Sequence, residues 1–402
     1  MRRYLNNELQ NHFAGNRQML FLSGPRQVGK TTIARQLEEM FQHGHYVNWD
    51  NQTHRALILK GPEAIATQLG LDHLQSEKSF CAFDELHKYQ HWRDFLKGFF
   101  DQYEDQVHIL VTGSAHLNTF RRGGDSLMGR YFPYTLHPVS VAECTGADNR
   151  GLLDKEPQSI SVAQWESLWQ FGGFPEPMIK SERRFYIRWR KLRAEQLFRD
   201  DLRDLTRIQE LGQVEMLAEI LRQNVGQLTS YTFLSKNVRV SVDTIRRWIA
   251  TLESFYYCFS VRPWHQNVTR ALRKEPKYYL WDWSLVDDPG ARAENLVASA
   301  LLKATHWWTE SGQGDFGLHF IRDKEKREVD FLVTRNQHPW FLVEVKSSGK
   351  TALSKSLAWF QSQTRTEHAF QVAIDLDFVE RDCFELNKPI IVPARTFLAQ
   401  LV

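Results

Sequence analysis

The stretch Gly24-Pro25-Arg26-Gln27-Val28-Gly29-Lys30-Thr31-Thr32 carries the spacing G-x-x-x-x-G-K-[ST]. An apolar run, Met19 to Leu22, precedes it, and a helical pattern, Thr32 to Met40, follows. In that setting the glycines let backbone N–H groups wrap a β-phosphate, and the helix N-terminus adds its positive end. Lys30 is expected to neutralise the β- and γ-phosphates, and Thr31 to ligate Mg2+. A second apolar run, Phe80 to Phe83, ends in Asp84-Glu85. Asp84 at the strand tip suits the Mg2+ shell, and Glu85 suits orienting or deprotonating the attacking water. A third run ends Val111-Thr112-Gly113-Ser114, which makes Thr112 and Ser114 candidates to sense a γ-phosphate. A plain strand-terminal turn reads the same way. Arg130 follows a Gly-rich loop (Arg121-Arg122-Gly123-Gly124) and is the candidate arginine for the γ-phosphate, in its own chain or a neighbour's. The competing reading is a surface arginine.

A second constellation lies near the other end. Glu328-Val329-Asp330-Phe331 and Phe341-Leu342-Val343-Glu344-Val345-Lys346 are apolar strands bearing charges. Side chains alternate with period two, so Glu344 and Lys346 share a face. A neighbouring strand can bring Asp330 beside them, and a preceding helix can add Glu294. Two or three carboxylates together suit a second Mg2+, or Mn2+, that activates water. Lys346 would then stabilise charge on a scissile phosphate. The alternative is a structural ion pair in which Lys346 neutralises Glu344.

Two stretches could face nucleic acid. Val214 to Leu221, Tyr231 to Lys236 and a helix capped by Ser241 read as a helix-turn-helix. Val242, Ile245, Ile249 and Leu252 form the buried stripe of its third helix, with Asp243, Thr244, Arg246 and Arg247 opposite. Tyr256 to Val261 and Lys277 to Asp282 would supply a wing. Packing, or contact with protein, is an equal reading of these helices. The run from Arg183 to Arg193 holds six basic residues in eleven, interleaved with aromatics. It can track phosphates, or it can be a solvated face paired with Asp200, Asp201 and Asp204.

The elements that must position these groups follow from the pattern. Short apolar runs alternate with helical patterns up to about residue 145, the signature of a parallel α/β sheet. Residues 161–210 read as helical, broken at Phe171-Gly172-Gly173-Phe174-Pro175. From about 290 the order is helix, three strands, helix, strand. The 402 residues are too many for one ordinary domain. With 42% apolar and 25% charged residues, disorder, collagen and coiled coil are excluded. The formal net charge is only +3, so a nucleic acid must be met by a local basic face. Cys81, Cys144, Cys258 and Cys383 lie far apart, which argues against a zinc or iron–sulfur site and fits a reducing compartment. The start lacks the apolar core of a signal peptide, and no apolar run approaches the roughly 18 residues of a membrane span. A cytoplasmic location without membrane contact is expected.

The motifs just quoted, with Gly129-Arg130-Tyr131 and Glu294-Asn295-Leu296-Val297, recur together in one family. The chain resembles prokaryotic AAA-type (AAA+/STAND-like) P-loop ATPases with a C-terminal domain of unknown function 4143. It departs from them mildly at Leu86-His87 and Leu285-Val286. The resemblance implies an AAA-like parallel sheet at 1–150, a helical linker at 161–212 and a winged helix at 213–285. It further implies a PD-(D/E)XK, restriction-endonuclease-like α/β domain at 286–402. The expected function is ATP binding and hydrolysis whose nucleotide state controls a DNA-binding, nuclease-like module. The expected partners are ATP or ADP and double-stranded DNA, with a homo-oligomer left open. The alternative is a signalling or scaffold ATPase with an inactive nuclease-like domain and protein partners.

Overall fold

The computed structural model describes residues 3–113, 127–146, 153, 156–202, 210–265 and 275–402. The chain divides into two compact units, Met1–His137 and Pro138–Val402. Among the described residues no helix is long and apolar enough to cross a membrane.

The first unit is a mixed α/β body around a five-stranded parallel sheet. Its strands are β1 (Met19–Ser23), β2 (Gly44–Asn48), β3 (Ser79–Asp84), β4 (Val107–Thr112) and β5 (Tyr131–Thr135), in the order β2-β3-β4-β1-β5. Every pairing is parallel. Helices must cover both faces of such a sheet, so its inner strands read as continuous apolar runs. All residues of β1 and β3 are buried. Phe83 packs edge-on against Phe95 and Phe99 of the helix Trp92–Tyr103, at 5.7 and 5.6 Å between centroids. The two border strands were not legible in the sequence. In β2 only Tyr46 and Val47 are buried, and β5 contains Pro133, which a border strand tolerates.

The second unit opens with the short helix Val141–Thr145 and then the helices Val162–Phe171, Pro175–Lys180 and Arg183–Glu195. The break between the first two of the longer run falls where it was expected. Gly172 adopts φ +77°, and a side chain on Gly173 would strike Val139 O and the Trp283 ring. Three helices follow: Leu211–Gln223, Tyr231–Val238 and Val242–Ser254. Ser241 caps the third by accepting from Thr244 N, as its type predicted. Its buried stripe is Ile245, Trp248, Ile249 and Leu252, with Trp248 taking the place expected for the half-buried Val242.

A seven-stranded mixed sheet completes this unit, in the order β12-β11-β10-β9-β8-β6-β7. Its members are β6 (Cys258–Pro263), β7 (Lys277–Leu280), β8 (Phe316–Arg322), β9 (Glu328–Arg335), β10 (His338–Lys346), β11 (His368–Ala373) and β12 (Ile390–Pro393). The hairpin expected as a wing is therefore also the border of this sheet, because β6 runs parallel to β8 through Arg262 and Pro263. The helix Pro289–Glu310 lies against the sheet with Leu296, Val297, Leu301 and Ala304 buried. The helix expected after the three strands spans Lys355–Thr364.

Candidate nucleotide site and carboxylate–lysine cluster

The loop after β1 turns on residues with positive φ: Gly24 at +148°, Gln27 at +62° and Gly29 at +108°. At Gly24 the need is also steric, since a Cβ there would sit 2.4 Å from Leu136 O at the end of β5. The helix Lys30–Glu38 starts at once, so Lys30, Thr31 and Thr32 form its first turn. Lys30 folds back over the loop and donates to Gly24 O and Pro25 O, both at 2.8 Å. Arg3, buried, donates to Val28 O at 2.6 Å and ties the N-terminal segment to the same loop.

Strand order brings the second half of the site in. β4 lies between β1 and β3, so the tips of all three converge beside the loop. Asp84 is 4% exposed and acts as a shared acceptor. Thr31 Oγ1 donates to its Oδ2 at 3.0 Å, and Tyr46 OH donates to the same oxygen. Thr112 Oγ1 donates to Oδ1 at 2.6 Å. Thr112 thus belongs to the site through Asp84, while Ser114 lies outside the described residues. Tyr46 was missed by sequence reading; burial and then the Asp84 carboxylate push its phenol far above the ordinary range. Glu85 follows with φ +55°, a left-handed backbone unusual for a glutamate. Its Oε2 is buried and accepts no hydrogen bond among the described residues, although Lys88 Nζ stands 3.2 Å away.

Arg130 is elsewhere. Met19 N donates to Arg130 O, and β5 runs parallel to β1, so Arg130 sits at the end of the sheet opposite the loop. Its guanidinium grips Asp101 at 2.6 and 3.0 Å. The expectation that it reaches a phosphate of its own chain is corrected by this topology; reach into a neighbouring chain is untouched by it.

In the second unit, the register that pairs Val343 with Phe331 sets Glu344 across from Asp330 at the next step. Asp330 Oδ2 accepts from Val345 N at 2.8 Å, and Lys346 Nζ donates to Glu344 Oε1 at 2.7 Å. Glu344 is 8% exposed and its Oε2 has no hydrogen-bond partner among the described residues. Glu294 reaches the group from the helix Pro289–Glu310. The neighbouring Asn295 orients that turn: its buried amide accepts from Leu280 N at 2.8 Å and donates to Leu280 O at 2.7 Å. Glu294 Oε1 then accepts from Tyr279 OH at 2.6 Å and lies 3.4 Å from Lys277 Nζ.

The electrostatics bind these groups into one system. Burial, then the charge of Asp330, pushes Glu294 up to about 7, with Lys277 opposing. Burial and Asp330 push Glu344 up to about 7 as well, with Lys346 opposing. Burial also raises Asp330, against the pull of Lys277 and Lys346. Burial lowers Lys346, but Glu344, Asp330 and Glu294 outweigh it and keep it charged. Asp330 is thus coupled electrostatically to both Glu294 and Glu344, and Lys346 to all three carboxylates. Yet among the described residues no three His, Cys, Asp or Glu side chains are grouped so as to hold a metal ion. The expected metal cage is not preformed. Sequence reading missed Lys277 and Tyr279, which hold Glu294; a lysine within an aromatic strand gave no local signal.

The basic helix Arg183–Glu195 buries Tyr186 and Trp189 and leaves Arg183, Arg184, Arg188, Arg190 and Lys191 exposed. Arg193 is different. It stacks on Phe174 at 3.6 Å and pairs with the buried Asp282 at 3.0 Å, a packing role. Asp204 lies outside the described residues, and so do the side chains of Asp200 and Asp201. On the helix Val242–Ser254, Arg246 and Arg247 are exposed.

Comparison with known proteins agrees with this division of chemistry. Residues 16–145 match the AAA domain family model. Residues 162–288 match a domain of unknown function (DUF8612), and residues 289–389 another (DUF4143). The first unit is thus similar to AAA domains, and the C-terminal part of the second to DUF4143 domains. Two uncharacterized proteins, from Mycobacterium bovis and Mycobacterium tuberculosis, are each 22% identical over 359 residues, covering 84% of this chain and 72% of theirs. Among solved structures, the Aeropyrum pernix ORC1 protein in complex with DNA matches with a TM-score of 0.31 and 14% identity, over 74% of this chain and 93% of that one. C. elegans PCH-2 matches with a TM-score of 0.25 and 12% identity, over 61% and 65%.

Proposed function

We propose that this protein binds and hydrolyses ATP in its first unit and that nucleotide state governs a DNA-facing second unit. The observation that carries the first half is the convergence of Thr31, Thr112 and Tyr46 on the buried Asp84, beside a loop already curled around Lys30. Residues Gly24 to Thr32 would cradle the phosphates, with Lys30 moving from its loop carbonyls to the phosphate oxygens. Thr31 and Asp84 would hold Mg2+, which supplies charge to those oxygens when bound. Glu85, whose buried Oε2 now faces Lys88 Nζ at 3.2 Å, would orient the attacking water. The test separates binding from turnover. Lys30→Ala should abolish ATP binding, whereas Glu85→Gln should keep binding and lower kcat by ~100-fold or more. Hydrolysis unchanged in Lys30→Ala would falsify the assignment.

The DNA-facing half rests on the exposed row Arg183, Arg184, Arg188, Arg190 and Lys191, with Arg246 and Arg247. A metal at Glu294, Asp330 and Glu344 would make the second unit a nuclease, with Lys346 beside the scissile phosphate. One observation favours the other reading, a scaffold ATPase with an inactive nuclease-like domain: Glu294 is already held by Lys277 and Tyr279. Incubating plasmid with the protein and Mg2+ or Mn2+, with and without ATP, decides between them. Cleavage lost in Asp330→Ala supports the nuclease; intact plasmid under every condition supports the scaffold.

A further inference from the structure

The carboxylate cluster contains a cation that neither the motif nor the proposed chemistry uses. Lys277 is 3% exposed. Its Nζ lies 2.7 Å from Glu328 Oε1 and 3.4 Å from Glu294 Oε1, and 5.5 Å from the centre of the Phe320 ring. It therefore sits between two carboxylates contributed by different elements, β9 and the helix Pro289–Glu310. Glu328 is also held from its far side by Arg322 at 2.9 Å. Space around Glu294 is closed on a third side. Gly226, at φ +75°, passes so near that a Cβ there would lie 2.8 Å from Glu294 Oε1. Opposite, Glu344 keeps a buried oxygen with no hydrogen-bond partner among the described residues. That oxygen belongs to the side chain that the strand register sets across from Asp330.

We propose that Lys277 is a built-in counter-cation that takes the place of a divalent metal in this cluster, so that the folded site excludes Mg2+ and Mn2+ while Lys277 is present. The physical ground is simple. Buried carboxylates on neighbouring elements repel unless a cation offsets them. A divalent ion and a buried ammonium answer the same need, and their charges repel if both are present. With Lys277 seated, Glu294 faces an ammonium and a phenol. With Glu294 held by Lys277 and Tyr279, Asp330 and Glu344 remain of the three expected carboxylates, and Lys346 occupies one oxygen of Glu344. Lys277 is thus a positioning residue, which fixes Glu294 through charge and touches no substrate.

The inference rests on Glu294, Asp330 and Glu344 forming one site and not on DNA being the partner or on ATP turnover. The probe is Mn2+ alone, with the full chain and no nucleotide. Free Mn2+ is followed by its electron-spin resonance signal, and Tm is recorded with and without the ion. Wild type should give the same Mn2+ titration as Asp330→Asn. Lys277→Met should take up one additional Mn2+, about tenfold or more tighter than any uptake at this site in wild type. Its Tm should rise with Mn2+ where that of wild type does not, and Lys277→Met/Asp330→Asn should lose both effects. A merely structural lysine would lower Tm without creating a metal site. A wild-type Mn2+ site that vanishes in Asp330→Asn overturns the proposal, as does equal uptake by wild type and folded Lys277→Met. Should Lys277→Met not fold, the comparison of wild type with Asp330→Asn still decides. A failure here leaves the ATP assignment standing, because neither binding nor hydrolysis of ATP is measured.

Discussion

Replacing Glu344 by glutamine should change how stability depends on pH, and the sign is fixed by the structure. The folded carboxyl is pushed from the ordinary 4.5 to about 7 by burial and by Asp330 opposite. Between those values the folded state binds more protons than the unfolded one. Wild-type stability from this group therefore rises as pH falls through 7, and is absent above it. For a single site the difference between ~pH 8 and ~pH 5 is about 2 kcal/mol. Buried and half-buried histidines act in the opposite direction. Burial lowers His12, His45 and His319, and takes His108 to about 4, so each destabilises the fold as pH falls. The raw pH profile mixes both effects, and the difference between Glu344→Gln and wild type isolates the glutamate. Urea unfolding followed by tryptophan fluorescence at the two pH values gives that difference. Glu344→Gln should be more favourable relative to wild type at ~pH 8 than at ~pH 5, by about 2 kcal/mol. An equal effect of the substitution at both pH values would refute the argument that a strained buried carboxylate lies opposite Asp330.

Three further outcomes follow from the geometry. Gly24→Ala should displace the phosphate loop, lose ATP binding and cost about 1–3 kcal/mol of stability in denaturant unfolding, since its Cβ would strike Leu136 O. Lys303 and Glu143 form an ion pair with both side chains 2% exposed, and Ser140 Oγ stands 2.8 Å from the ammonium. Lys303→Met should cost about 3–5 kcal/mol, and adding Glu143→Gln should restore part of it in a double-mutant cycle by thermal melting. Replacing Arg188, Arg190 and Lys191 together by alanine should weaken duplex DNA binding and flatten its salt dependence by about 0.9 per lost phosphate contact; an unchanged slope would mean the row is only solvated.

What the sequence disclosed was chemistry written in adjacent residues. Gly24 to Thr32 and Asp84-Glu85 are local signals, and period-two alternation was enough to place Glu344 and Lys346 on one face. The Ser241 cap and the break at Gly172-Gly173 are local for the same reason. The residues that escaped are those whose role depends on distant partners. Tyr46 matters only because β2 lies beside β3, and Lys277 and Tyr279 matter only because β7 borders the sheet near Glu294. Arg130 was assigned by its neighbours in sequence, whereas the direction of β5 decides where it stands. The hairpin β6–β7 fitted a wing by length and pattern; nothing local shows that Arg262 and Pro263 continue onto β8.

The border of the larger sheet at β7 has a consequence for how copies of this protein can meet. Gly226 N donates to Tyr278 O at 3.1 Å, Thr229 N to Pro276 O at 3.0 Å, and the Asn295 amide engages both backbone groups of Leu280. A loop and a helix side chain thus occupy the positions a further strand would need. At the other border β12 is four residues long and ends in Pro393. Among the described residues neither margin offers an extended row of open backbone groups to template an incoming chain. Association of two such units through these margins would therefore be written in side chains, where single substitutions can tune it, and not in the sequence-blind language of sheet extension.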